Sequence, residues 1–128
     1  MYHECTVFIC KRVYMKKFFA LFCIPVAMIQ EWEKESDSAT KEADEAKMMK
    51  EWGDWMHRHK ESFLDQGQPL GSTKRVTSGK ISDVRNDLTW YGIIQAESHE
   101  AAANLFSDNP HLQMPHAYIE VMEITEMS

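Results

Sequence analysis

Two stretches of this chain are apolar on both of their alternating faces, and they limit its folds more than any other feature. Residues 18–24 set Phe18, Ala20, Phe22 and Ile24 against Phe19, Leu21 and Cys23, and residues 88–96 are broken only by Thr89 and Gln95. A strand apolar on both sides must be covered above and below, so each belongs in the interior of a sheet. The second is also rich in β-formers, with Trp90, Tyr91, Ile93 and Ile94. Two central strands separated by some sixty residues require other segments at the edges.

The 128 residues suit a single domain that buries its own core. Apolar residues at 44% and charged residues at 27% describe a globular chain, too apolar for disorder. With 20 Asp plus Glu against 14 Lys plus Arg, the net charge is −6, so the basic excess that nucleic-acid binding draws on is missing. Cys5, Cys10 and Cys23 are odd in number and lack zinc-type spacing, which reads as free thiols in a reducing compartment. Residues 15–29 imitate a secretory leader, with Lys16 and Lys17 before an apolar run. Pro25 interrupts that run and no small-residue cleavage site follows, so a cytoplasmic location without a membrane partner is expected.

Along the chain, residues 1–14 read as an extension in which 6–10 could form a strand, with the domain proper at 15–127. Several N-cap candidates lie in Ser36-Asp-Ser-Ala-Thr40, and a long helix follows, closed by Gly67 and Pro69. At helical spacing Met48, Met49, Trp52, Trp55, Met56, His59 and Phe63 fall on one stripe, while Asp54, His57 and Glu61 fall outside it. Residues 73–77 and 80–84, joined by Ser78-Gly79, carry enough charge to predict an edge strand. Ser98 caps a short helix bearing Ala101, Ala102, Leu105 and Phe106, which stops at Asn109-Pro110. A last strand at 117–124 puts Ile119 and Val121 on one face and Tyr118, Glu120, Met122 and Ile124 on the other.

The order strand, helix, strand, strand, helix, strand predicts an α+β chain: a ferredoxin-like βαββαβ sandwich with an antiparallel sheet and its first and third strands central. Two helices cover one face only. A second copy is the economical cover for the other, giving a homodimer.

Six motifs occur in fixed order: Met15-Lys-Lys-Phe18, Trp52-Gly-Asp-Trp55, Leu64-Asp-Gln-Gly-Gln-Pro-Leu-Gly71, Thr89-Trp-Tyr-Gly-Ile-Ile-Gln-Ala-Glu-Ser98, Pro110-His-Leu-Gln-Met-Pro115 and Ile119-Glu-Val-Met-Glu-Ile124. In these the chain resembles YCII-related proteins of the DGPF-type group, within the dimeric α/β-barrel superfamily. The resemblance implies two sheets packed face to face and a small-molecule cleft in each subunit, without implying one activity. Some such relatives act on small aromatic or dienelactone-like compounds. The group's Asp-Gly-Pro-Phe signature is replaced here by Asp83-Val-Arg-Asn86.

His59, an imidazole on an otherwise apolar stripe, has either a buried hydrogen-bond partner or a cleft to face. By the same resemblance it would pair with Asp83 of the following hairpin as an acid/base couple able to move a proton at a substrate carbon. Trp52 and Trp55, with Trp90 and Tyr91, either floor an aromatic ligand pocket or pack the core. His111 and His116 flank Leu-Gln-Met-Pro; a metal would need further ligands that are not evident, so no metal is expected. His111 reads instead as a loop-to-sheet hydrogen-bonding residue with a place in ligand binding. No nucleotide-binding loop or nucleophile elbow occurs, and no cofactor is expected. The expectation is a homodimer binding a small aromatic or carbonyl-bearing molecule, with His59-based proton transfer or elimination. Its alternative is a non-catalytic binding or accessory dimer in which the same residues serve packing.

Overall fold

The structure, a computed structural model, describes residues 15–35 and 37–127, and the strand considered at 6–10 lies outside them. The elements are β1 (Lys16–Cys23), α1 (Val26–Glu35), α2 (Ser38–His59), β2 (Phe63–Asp65), β3 (Thr73–Thr77), β4 (Lys80–Val84), β5 (Leu88–Ala96), α3 (His99–Leu105) and β6 (Tyr118–Glu123). Short 3-10 turns occupy Lys60–Ser62 and Pro110–Gln113. The chain is α+β, and its main sheet has the order β2-β5-β1-β6 with every neighbouring pair antiparallel.

The doubly apolar segments are β1 and β5, and they are the two inner strands. Their register sets Phe18 opposite Ile94 and Phe22 opposite Trp90, while β6 sets Ile119 opposite Phe22 and Val121 opposite Ala20. This face carries the core. Phe18, Ala20, Phe22 and Ile94 pack under Trp55 and Met56 of α2 and under Ala102 and Phe106 at α3 and its end. Phe22 is the hub, meeting Trp52, Phe106 and His111 edge-on at ring separations of 5.0, 5.6 and 5.6 Å. The opposite face presents Phe19, Leu21, Tyr91, Ile93 and Met122, and no described element covers it.

Local chemistry explains the helix starts. The Asp37 carboxylate accepts the Thr40 N–H at 2.7 Å and caps α2, and Ser98 Oγ accepts the Ala101 N–H at 3.0 Å and caps α3. The Asp37 carboxyl is held below its ordinary range by those Thr40 bonds.

Three expectations are corrected. First, the edge beside β5 is not the 73–84 segment but β2, three residues long, whose Phe63 ring packs on Trp55 and Phe106 at 5.8 and 6.2 Å. β3 and β4 instead form their own two-stranded sheet, with the Val76 and Ile81 pair 73% and 67% exposed. Charged and hydroxyl side chains fill most of that hairpin, leaving it little apolar surface to bury against the core. Second, α2 stops at His59, so Phe63 belongs to a strand, and Met49 lies 73% exposed rather than on the buried stripe. Only the C-terminal part of α2 crosses the sheet, and its packed face begins at Trp52. Third, Val26–Glu35 is a helix that the charge pattern alone did not indicate. Pro25 begins it, since the Met28 N–H donates to the Pro25 carbonyl at 2.9 Å.

Candidate functional site

The last two turns of α2 bring Trp52, Gly53, Met56 and His57 to one rim of the sheet, because positions four apart on a helix share a side, and the 3-10 turn that follows adds Lys60. Facing them across a cleft of about 450 Å³ are Trp90 of β5 and the loop Gln66-Gly67-Gln68 that leaves β2. The loop is held from three directions. Asp65 Oδ1 accepts the Gly67 N–H at 2.8 Å, the Trp90 indole N–H donates to the Gln66 carbonyl at 2.9 Å, and the Leu70 N–H donates to the Thr89 carbonyl at 2.8 Å. Gly67 sits at φ 81°, and a Cβ there would run into the Tyr91 carbonyl oxygen, so only glycine fits this close approach.

Trp52 and Trp90 form the aromatic corner of the cleft, with ring centroids 5.2 Å apart and planes at 63°. Both are only half-buried. The sequence named both as candidates for an aromatic floor. His57, expected on the solvated outer side of the helix, is indeed exposed, and it also lines the cleft. No period in the sequence marks Lys60 or the two glutamines as site residues. They reach the site through the turn that follows α2 and through β2, a strand too short to show alternation.

The remaining candidates, Trp55, His59, Asp83 and His111, do not line this cleft. Trp55 is fully buried, stacked near Phe106 at 5.5 Å, and its indole N–H donates to Asp108 Oδ1 at 3.0 Å. That bond, more than the nearby His59 and Arg58, holds the Asp108 carboxyl below its usual range. His59 is half-buried with its ring 4.5 Å from that of Trp55, and its Nε2 is buried without a hydrogen-bond partner among the described residues. Asp83 lies on the hairpin, where its Oδ1 is 2.6 Å from Lys74 Nζ. Among the described residues no hydrogen bond or ion pair joins His59 to Asp83.

His111 is buried under Phe22, and its Nε2–H donates to the Cys23 carbonyl at 2.8 Å, tying the Pro110–Gln113 turn to the end of β1. Burial lowers its pKa from the usual imidazole value of 6.5, with the bond to Cys23 working in the opposite direction. The unfolded chain therefore takes up this proton first as pH falls, and the folded form loses stability below about pH 6.5 until the depressed native pKa is passed. Thermal unfolding of wild type and His111→Gln between about pH 7.5 and 5 measures this. The wild type is expected to fall more steeply, and parallel curves would dismiss the effect.

A second polar cluster has no counterpart in the sequence reading, since its members lie far apart along the chain. The Tyr118 hydroxyl donates to Asp87 Oδ2 at 2.9 Å, and Asp87 Oδ1 accepts the Val26 N–H at 3.3 Å, so one carboxylate joins β6 to the start of α1. The Asp87 bond pushes the Tyr118 phenol up to about 12. Burial and the charge of Glu120 raise the thiol of Cys23, a free cysteine beneath this cluster.

Among the described residues no group of three or more His, Cys, Asp or Glu side chains is arranged to hold a metal ion, and no helix is long and apolar enough to cross a membrane. No protein-family model matches the chain, and no curated protein matches it.

Proposed function

We propose that this chain is a cytoplasmic small-molecule-binding protein that works as a homodimer of ferredoxin-like sandwiches, in the manner of the YCII-related proteins it resembles. The cleft carries the reading. Its volume of about 450 Å³ falls within the range of small-ligand sites, about 300–1,000 Å³, and its corner is built from two half-buried indoles. Such walls suit a planar aromatic or carbonyl-bearing compound. The sheet order supports the sandwich, because the first and third strands of a βαββαβ unit are its inner pair. The uncovered apolar face supports the dimer, since a two-fold partner would bury Phe19, Leu21, Tyr91, Ile93 and Met122 against their own copies.

Two measurements test this. Wild type should sediment at twice 14.9 kDa at micromolar concentration and Leu21→Glu at 14.9 kDa. A wild type found only at the smaller mass would remove the dimer. Small aromatic acids, esters and lactones should raise the unfolding temperature of wild type but not of Gly53→Leu, whose side chain would enter open space at the cleft rim. A panel without a single such compound would remove the binding function.

One observation favours a second reading in which His59 moves a proton: its buried Nε2 lacks a partner. The non-catalytic form is the better supported, because His59 does not line the cleft and Asp83 is engaged by Lys74. Turnover that survives in His59→Gln would end the proton-transfer role.

A further inference from the structure

The ionisable side chains that line the cleft, His57 and Lys60, are both basic. Lys60 supplies an ammonium that makes no ion pair among the described residues, and Gln66 and Gln68 line the opposite wall. The Trp52 indole N–H has no described acceptor, whereas that of Trp90 is already committed to the Gln66 carbonyl. No carboxylate lines the space, in a chain that carries 20 acidic residues. A pocket with a lysine ammonium, further N–H donors and no acidic side chain is complementary to an acceptor bearing a single negative charge. The two indoles, at 63° to one another, offer one ring to stack on and a second to meet edge-on, which is how a flat aromatic body is held in a corner.

We infer that the cleft is a receptor for an aromatic monocarboxylate, whose ring sits in the corner of Trp52 and Trp90 and whose carboxylate meets the Lys60 ammonium. This deepens the small-molecule reading above and rests on it. Lys60 opens the 3-10 turn after α2, and the bonded Gln66–Gln68 loop opposite it fixes the width of the site. The charged end of the ligand therefore lies toward the exposed mouth, where Lys60 is solvated, and the ring toward the half-buried indoles. A dicarboxylate or a phosphate would leave charge without a second lysine or arginine to meet it, since Lys60 is the one such residue among the described lining residues.

The test compares benzoate and indole-3-carboxylate, each against its uncharged primary amide, by calorimetric titration into the full chain. The variants are Lys60→Ala, whose side chain is exposed, and Gly53→Leu, which gains helix propensity while filling the rim. At least one acid is expected to bind wild type about tenfold or more tightly than its amide, with that preference lost in Lys60→Ala and all binding lost in Gly53→Leu. Acid and amide binding alike, with Gly53→Leu blocking both and Lys60→Ala changing neither, would overturn the carboxylate receptor and leave the small-molecule site intact. Absence of binding by all four compounds, or binding that Gly53→Leu leaves unchanged, would overturn the receptor. Continued success of the lactones and esters in the wider panel would then separate that failure from failure of the cleft itself.

Discussion

Replacing Trp55 by alanine is expected to lower the unfolding free energy by about 3–5 kcal/mol, the loss that follows removal of a fully buried large aromatic. The indole meets four rings: Phe106 lies at 5.5 Å, Phe63 at 5.8 Å, His59 at 4.5 Å and Trp52 at 6.5 Å between ring centroids. It therefore joins α2 to β2 and to the end of α3 at once. A domain of this size holds about 5–15 kcal/mol in total, so the variant sits close to unfolding at ambient temperature. Trp55→Phe keeps a ring in the space but loses the N–H that Asp108 accepts, and should fall between the two. Urea unfolding of the three proteins measures the order. Trp55→Ala within about 1 kcal/mol of wild type would contradict the central position of this residue.

The second large effect comes from a single methyl group. Gly67→Ala drives a Cβ into the Tyr91 carbonyl oxygen, at a backbone φ of 81° that alanine itself disfavours. Strain at a left-handed position and overpacking against backbone together amount to about 2–4 kcal/mol. Relief requires moving the loop, which pulls the Gln66 carbonyl from the Trp90 N–H and deforms the wall of the cleft. Gly53→Ala is the control, because a Cβ there meets nothing within 4 Å and the residue lies inside a helix. That change should stabilise by about 0.5–1 kcal/mol. The same substitution at two glycines fourteen positions apart thus carries opposite signs, readable in one pair of urea curves. Equal effects would mean that the turn at Gly67 is not as tight as described.

Both central strands could be read directly, because a strand apolar on two faces leaves few alternatives, and β6 could be read from its alternation of Ile119 and Val121 with Tyr118, Glu120 and Met122. Ser98 announced α3 for the same local reason. What escaped was set by packing. Lys60, Glu61 and Ser62 do not break a helix by composition, and the chain leaves the helix at His59 while Phe63 turns into the core as a strand residue. A three-residue strand has no period to recognise, and the charged hairpin has the composition of an edge strand without its position. Pro25 was read as a break in an apolar run, whereas it starts α1. In the candidate site, Trp52 and Trp90 were visible as aromatics, but their meeting across 5.2 Å depends on β5 passing beside α2. Lys60 joined them only once the helix end was known.

The hairpin of β3 and β4 bonds to itself and leaves Val76 and Ile81 in solvent, so little in it depends on the main sheet remaining intact. Its amide protons accordingly exchange with water through an opening of its own, at a free energy well below that of the whole domain. The Ser78-Gly79 tip, with Gly79 at φ 80°, is by the same logic a place where foreign sequence can be grafted or the chain cut while β1 and β5 stay paired.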